Sequence, residues 1–393
     1  MKIMSINTGS SSLKFSLFNM ENEQVIASGL FERIGIEHSN CIIKYNGEKI
    51  EQEVEMKDHT DAVNILLDKL ISLNIIESLE EIDGIGHRLV HGKDKYADSV
   101  IITDEVVNDL LAFKDFAPLH NPANVLGINA FREILPNTLM VGVFDTAYHQ
   151  TMEKENYLYP VPYSWYKDHG VRKYGFHGTS HRYIANFLSK KLGRTDLKII
   201  NCHIGNGGSI TAIKDGKCVN TSMGFTPLTG IMMGTRSGDV DPSIIPYVME
   251  KEGLNASEVV DSLNKKSGLL GVSEKSSDMR DIIASKENDD QALLAFNKYC
   301  RSITNYIAMY YVELGGVDVI SFTAGVGENS EPTRKKVCEN LECLGVKIDY
   351  EKNKVMGEFA KISTDDSKID IYVVPTDEEL LIARDTLNFL KNR

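Results

Sequence analysis

Two segments of this chain, 196 positions apart, share one pattern: an apolar strand, a turn of small residues, and a second apolar strand. The first runs from Lys2 to Phe18 and the second from Lys198 to Ile213. Laid on each other they set Lys2 on Lys198, Ile3 on Ile199, Asn7 on His203, Gly9 on Gly205 and Leu17 on Ile213. Apolar runs of this length read as strands and the polar middles as tight hairpin turns. Glycine in each turn lets backbone N–H groups come close to an anion. In the first turn, Asn7 to Ser12 add hydroxyls and an amide, and Lys14 adds charge. Two phosphate-cradling hairpins half a chain apart imply a duplicated α/β fold with a cleft between its halves.

The remaining pattern fits that frame. Val25–Phe31, Cys41–Tyr45 and Gln52–Met56 continue the first sheet as a meander. Apolar spacing predicts a helix over Asp61–Asn74, and Ile82–Ile85 the next strand. Arg88 then falls just past a strand end, where open α/β sheets present site residues. A proline-punctuated loop opens a helix over Ala123–Leu135, and Leu139–Phe144 is a buried-type strand. Asp145 follows at once, placed either to orient a metal or substrate or to cap a helix. A second domain is expected from about residue 150.

In that second half, His177 stands between Phe176 and Gly178 before a helix expected over His181–Leu192, capped by Thr179 or Ser180. A glycine-flanked histidine at a helix start suits an anion. The loop Met223–Gly238 holds one cation, Arg236, between small residues, free to fork onto carboxylate or phosphate. Helices are expected over Pro242–Glu252, Ala256–Leu263, Ser277–Ser285 and Asp290–Leu314. A third glycine-rich turn, Thr323–Ser330, separates the strand Val317–Phe322 from the helix Pro332–Leu341. Strand Ile369–Val374 precedes an amphipathic helix, Glu378–Leu390, that would pack back onto the first domain.

The 393 residues give room for two or three domains. A net charge of −13 argues against a nucleic-acid or anionic-membrane binder, so an anionic substrate must be held by local cations. No stretch reads as a signal peptide or membrane span. Six cysteines without a C-x-x-C pair read as reduced thiols in a cytoplasmic protein. Walker A and Ser or Cys nucleophile motifs are absent from the sequence. Glycine turns, isolated arginines, a loop histidine and strand-end carboxylates match the needs of phosphoryl transfer, which relies on positioning and charge.

Nine motifs in this order resemble those of the acetate kinase (acetokinase) family: NTGSSSLKF from Asn7, GHRLVHG from Gly86, APLHNP from Ala117, FDTAYH from Phe144, YGFHGTSH from Tyr174, HIGNGGS from His203, MGTRSGDVDP from Met233, TAGVGENS from Thr323 and PTDEEL from Pro375. The resemblance implies two RNase H-like domains of the actin/sugar-kinase/Hsp70 type flanking an active-site cleft. Residues 1–149 plus about 380–393 would form the first, and 150–379 a nucleotide-binding and dimerisation domain. It implies reversible, direct in-line transfer from ATP to acetate, with Mg²⁺ or Mn²⁺, in a cytoplasmic homodimer that binds neither nucleic acid nor membrane.

Carried over by motif, Asp145, His177 and Arg236 resemble the catalytic residues, with Asp145 orienting Arg236 or a metal-bound water. Arg88, Val90, Leu119, Phe176 and Pro227 resemble the substrate site. Asn7 and Glu378 resemble the metal residues. Lys14, His203, Ile204, Gly205, Asn206, Gly207, Asp278, Met279, Arg280, Gly325, Val326, Gly327, Glu328 and Asn329 resemble the nucleotide site. The chain departs from the family pattern at Ile204, at Gly208 and at Gly92-Lys93-Asp94, while Asn206 and Gly207 favour ATP over pyrophosphate. A propionate kinase uses the same machinery, and one methylene is worth only about 1–3 kcal/mol. An Hsp70- or actin-like ATPase is the reading from another class.

Overall fold

The structure, a computed structural model, describes residues 1–392. The chain divides into two units, Met1–Tyr148 with Asp377–Arg393, and His149–Thr376. The second crossing falls at Thr376, three residues ahead of the expected boundary, so Glu378 belongs to unit 1.

Unit 1 begins with β1 (Lys2–Gly9), β2 (Ser12–Asn19), β3 (Gln24–Glu32), β4 (Asn40–Tyr45), β5 (Glu48–Glu53), α1 (His59–Ser72), β6 (Ile82–Leu89), β7 (Val100–Ile101), α2 (Asp104–Ala112), α3 (Asn121–Ile134) and β8 (Leu139–Phe144). Its sheet has eight strands in the order β5-β4-β3-β2-β1-β6-β8-β7. Strands β1 to β5 form an antiparallel meander, while β6 and β8 run parallel to β1.

Unit 2 holds α4 (Lys154–Tyr157), α5 (Tyr163–His169), α6 (Gly178–Leu192), β9 (Lys198–Ile204), β10 (Gly208–Lys214), β11 (Lys217–Thr221), α7 (Ile244–Glu252), α8 (Ala256–Lys265), α9 (Gly268–Ser273), α10 (Met279–Ser285), α11 (Asp290–Glu313), β12 (Val319–Thr323), α12 (Ala324–Asn329), α13 (Glu331–Asn340), β13 (Ala360–Lys361) and β14 (Asp370–Val373). Its six strands run β11-β10-β9-β12-β14-β13. The last helix, α14 (Glu378–Lys391), returns to unit 1. Both sheets therefore share one core, three antiparallel strands (β3-β2-β1 and β11-β10-β9) followed by two strands parallel to the last of them (β6-β8 and β12-β14), and unit 1 extends its meander by β4 and β5.

Several boundaries differ from the sequence expectation for identifiable reasons. Asn7 pairs with Lys14 and Gly9 with Ser12, so the first hairpin turn shrinks to Ser10 and Ser11. The last meander strand lies at Glu48–Glu53, not Gln52–Met56. Asn46 and Gly47, at φ 49° and 78°, close the β4–β5 hairpin with a turn of the hand that suits strand twist. As an edge strand, β5 is largely exposed and carries no apolar signal. Strand β6 continues to Leu89, which puts Arg88 inside the strand, beside Asn7. Helix α6 starts at Gly178, with His177 as its N-cap at φ 56°, so Thr179 and Ser180 are buried helix residues and not caps. The third glycine-rich turn is a short helix, α12, entered through Ala324 at φ 65°.

In unit 1 alternate residues of β8 face opposite layers, as strand geometry requires. Met140 and Phe144 join the core beneath α1 and α3, whereas Leu139, Val141 and Val143 pack on Ile382 of α14. Gly86 makes the close approach of α14 feasible. A Cβ there would stand 2.4 Å from Ile382 Cγ2 and 2.5 Å from Thr386 Oγ1. This packing sets the position of Glu378, the first residue of α14.

On the other face of β6, His87 lies edge-on to Phe131 of α3, ring centroids 5.6 Å apart. Its Nε2 has no hydrogen-bond partner among the described residues. Burial, aided by the Arg132 charge, pushes its pKa down to about 3 from 6.5. The unfolded imidazole takes up a proton near 6.5 and the folded one only near 3. The stability of the neutral core is complete above 6.5 and is lost as pH falls through that window. Each unit below about pH 6 should cost up to ~1.4 kcal/mol through this group. Urea unfolding between pH 7 and 5 should show a correspondingly shallower slope for His87→Leu; parallel slopes would count against it.

Candidate active site

In unit 1, four chain segments bring polar side chains to the carboxyl ends of adjacent strands. Arg88 leaves β6 and is gripped by Asp145, in the loop after β8. Its Nε donates to Asp145 Oδ1 at 3.2 Å, and Nη2 makes a shorter charge-assisted bond to Oδ2. Arg88 Nη1 donates to Asn7 Oδ1 of β1 at 3.3 Å. Asp145 is buried, and its backbone N–H is held by the Leu89 carbonyl at 2.9 Å. The Asp145 carboxylate thus secures Arg88.

Glu378 completes this cluster. Its carboxyl is pushed up to about 7 from 4.5, first by loss of hydration and then by Asp145, with Arg88 opposing. Two carboxylates around one guanidinium leave excess negative charge. Among the described residues no set of three or more His, Cys, Asp or Glu side chains forms a metal cage. Asn7 and Glu378, with Asp145 near by, instead offer the sparse oxygen set that Mg²⁺ accepts when phosphates and water complete its shell. Lys14 pairs with Glu379. Val90 is buried, its N–H on Asn124 Oδ1 at 3.2 Å, while Leu119 is an exposed apolar side chain.

In unit 2, His177 begins α6 and stacks on His203 of β9, centroids 4.1 Å apart. Its Nδ1 is 2.9 Å from Ser209 Oγ. Phe176 is buried, and its carbonyl accepts from His149 Nε2 at 2.8 Å. Arg236 is half-buried, with Nη1 donating to the Pro227 carbonyl at 3.1 Å. No carboxylate pairs with Arg236 among the described residues, and burial lowers its pKa from the ordinary value. The guanidinium lies over the β9–β10 hairpin, since a Cβ on Gly207 would come within 3.2 Å of Arg236 Nη1. A half-buried cation without a counter-charge, beside a glycine hairpin, is an anion site.

Next to that hairpin, unit 2 opens a cavity of about 940 Å³. Of the expected nucleotide residues, Gly205, Asn206, Asp278, Met279, Arg280, Gly325, Val326 and Asn329 line it. His203 and Ile204 are buried in β9, and Gly327 packs on the backbone of β12. Glu328 turns inward: Oε1 accepts from Ala324 N at 2.7 Å and from Thr376 N at 3.1 Å. Asp278 caps α10 and holds Arg280. Leu269 and Met356 also line the cavity and were not anticipated. Leu269 sits in α9, too short for a periodic signal, and Met356 in an irregular loop.

That loop is fixed by Arg334, which is fully buried. Arg334 donates to the carbonyls of Gly327 and Glu328 at 2.9 Å each, and to those of Asn353 and Val355 at 2.5 and 2.8 Å. Nε reaches Asn353 Oδ1 at 2.8 Å.

A family model described as the acetokinase family matches residues 2–384. The acetate kinase of Bacillus cytotoxicus is 54% identical over 389 residues, 98% of each chain. The solved acetate kinase of Porphyromonas gingivalis is 47% identical with a TM-score of 0.95, each chain covered to 99%. A solved propionate kinase from Francisella tularensis is 39% identical, TM-score 0.93, over 98% of this chain and 99% of the other.

Arg334→Met would strip the carbonyls of Gly327, Glu328, Asn353 and Val355 of this donor. A stability loss of about 3 kcal/mol or more is expected in urea unfolding. A loss below about 1 kcal/mol would show that other donors replace it.

Proposed function

Because the chain belongs to the acetokinase family, we propose that it transfers the γ-phosphoryl group of ATP to acetate, reversibly, giving ADP and acetyl phosphate with Mg²⁺. The observation that carries this reading is Arg236: a half-buried guanidinium beside a glycine hairpin, without a carboxylate partner among the described residues.

Acetate is ionised at neutral pH, so its oxygen attacks phosphorus without a general base. The new O–P bond forms as the bond from γ-phosphorus to the β,γ-bridging oxygen breaks, and ADP leaves with that electron pair. Arg88, held by Asp145, offsets the charge of the acceptor carboxylate. Val90, Leu119, Phe176 and Pro227 receive the methyl group. Arg236 and His177 donate to the equatorial oxygens of the phosphoryl group, where charge is spread in the transition state. The cavity beside Gly205, Asn206, Asp278–Arg280 and Gly325–Asn329 takes the nucleotide, and its lining by those segments supports this. Lys14, His203, Ile204 and Gly207 act at the edge of the same site or support its hairpin. Asn7 and Glu378 are the residues that would hold Mg²⁺, or Mn²⁺ in its place; when bound it offsets the charge on the phosphates. The burial of the Glu378 carboxyl beside Asp145 supports that assignment.

The reading takes the enzyme as a cytoplasmic homodimer. Six free thiols and exposed apolar side chains on unit 2, Tyr247, Met309 and Val312 among them, support it. Light scattering of the purified protein checks the dimer.

Trapping of acyl phosphate as the hydroxamate, with ATP, Mg²⁺ and acetate, propionate or butyrate, tests the reaction. Acetate should give the highest kcat/KM, and no acyl phosphate from any of the three would end the proposal. Propionate exceeding acetate would place the enzyme with the propionate kinases. Arg236→Ala should lower kcat by about a hundredfold or more at a modest change in KM. An unchanged kcat in the folded variant would remove Arg236 from the chemistry.

A further inference from the structure

Behind His177 a line of neutral, fully buried polar side chains runs through unit 2. Ser321 Oγ of β12 donates to Asn201 Oδ1 of β9 at 2.7 Å. With Oδ1 on Ser321, Asn201 turns its Nδ2 to His181, 2.8 Å from the ring Nδ1. An amide nitrogen can only donate, so His181 Nδ1 accepts. Burial, with the neighbouring His149 and His203, drives the His181 pKa well below its usual value and keeps the ring neutral. A neutral imidazole that accepts at Nδ1 carries its proton on Nε2. Nε2 of His181 lies 2.8 Å from Ser209 Oγ and donates to it. Ser209 has one hydroxyl proton, and its other partner is His177 Nδ1 at 2.9 Å. The proton goes there.

The direction of every bond in the line therefore follows from the first. His177 receives at Nδ1, which leaves the proton of its neutral ring on Nε2. We propose that Ser209 and His181 are positioning residues that fix the tautomer of His177, so that its Nε2 is a hydrogen-bond donor to the transferring phosphoryl group. This rests on the role given to His177 in the proposed reaction. With the line reversed, His177 would carry its proton on Nδ1 and present a lone pair to an anionic oxygen, a repulsive contact. The burial of Ser321, Asn201, His181 and Ser209, each fully enclosed, shields the line from water that could reverse it. Helix α6 supplies His181, the β9–β10 hairpin supplies Asn201 and Ser209, and β12 supplies Ser321, so the packing of these three elements sets the polarity.

The test combines spectroscopy with kinetics. In full-length protein labelled with ¹⁵N at histidine, the imidazole signals of His177, assigned by their loss in His177→Gln, should show Nε2 protonated and Nδ1 not. That measurement needs no activity, so it stands whether or not the enzyme makes acetyl phosphate. Ser209→Ala should lower kcat roughly tenfold to a hundredfold with KM for acetate and ATP within about threefold. His181→Leu should match it. His181→Gln, whose carboxamide N–H reaches where Nε2 was, should recover most of the rate. His177 protonated on Nδ1, or a wild-type kcat in Ser209→Ala, would overturn the inference. An inactive wild-type enzyme with His177 protonated on Nε2 would instead overturn the reaction and leave the tautomer assignment standing.

Discussion

Unit 1 depends on one charge arrangement: Arg88 held by Asp145, touching Asn7, with the Glu378 carboxyl close enough for each to shift it. A guanidinium inside a strand is costly to bury without a partner. Asp145 supplies that partner in bidentate form, which fixes direction as well as charge. Glu378 then has no cation of its own, and burial first, then the neighbouring Asp145, raises its pKa. The arrangement is built by the fold. Asn7, Arg88 and Asp145 sit at or just past the ends of adjacent strands, and α14 carries Glu378 in because Gly86 lets it pack closely. Local strain of this kind is maintained only where the surrounding packing insists on it.

The two sheets share strand order and direction yet carry different chemistry at equivalent places. Near its carboxyl end β1 carries Asn7, paired with Arg88; near its own, β9 carries His203, paired with Thr323. Unit 1 thus collects full charges, while unit 2 collects neutral donors, glycine backbone and two guanidinium groups, Arg280 held by Asp278 and Arg236 without a carboxylate among the described residues. The first set suits a small carboxylate and a metal, the second a polyphosphate.

Much of this was legible in sequence because it rests on local pattern. The 196-residue offset between hairpins, the strand Leu139–Phe144 and the isolated Arg236 each follow from apolar runs and small residues alone. What the sequence does not display depends on tertiary contact. The edge strand β5 has no apolar face, α9 is one short turn and a half, and Ala324 takes a backbone angle that no residue type announces. Arg88 grips Asp145 from 57 positions away, a pairing that no local pattern announces. Arg334 and Met356 were invisible for the same reason: their importance lies in carbonyls and a cavity brought together by α13 and an irregular loop.

The line from Ser321 to His177 differs in kind from the Arg88–Asp145 pair. It passes a direction and no net charge. Dissolved ions weaken attraction between exposed charges over about 10 Å at 0.1 M, but they do not loosen a chain of direct contacts sealed from water. The protein's grip on anions should therefore vary with ionic strength while the orientation of its histidine donor does not. A cell whose salt content fluctuates would alter how tightly the enzyme holds its ligands, and leave the alignment of that donor where the fold has set it.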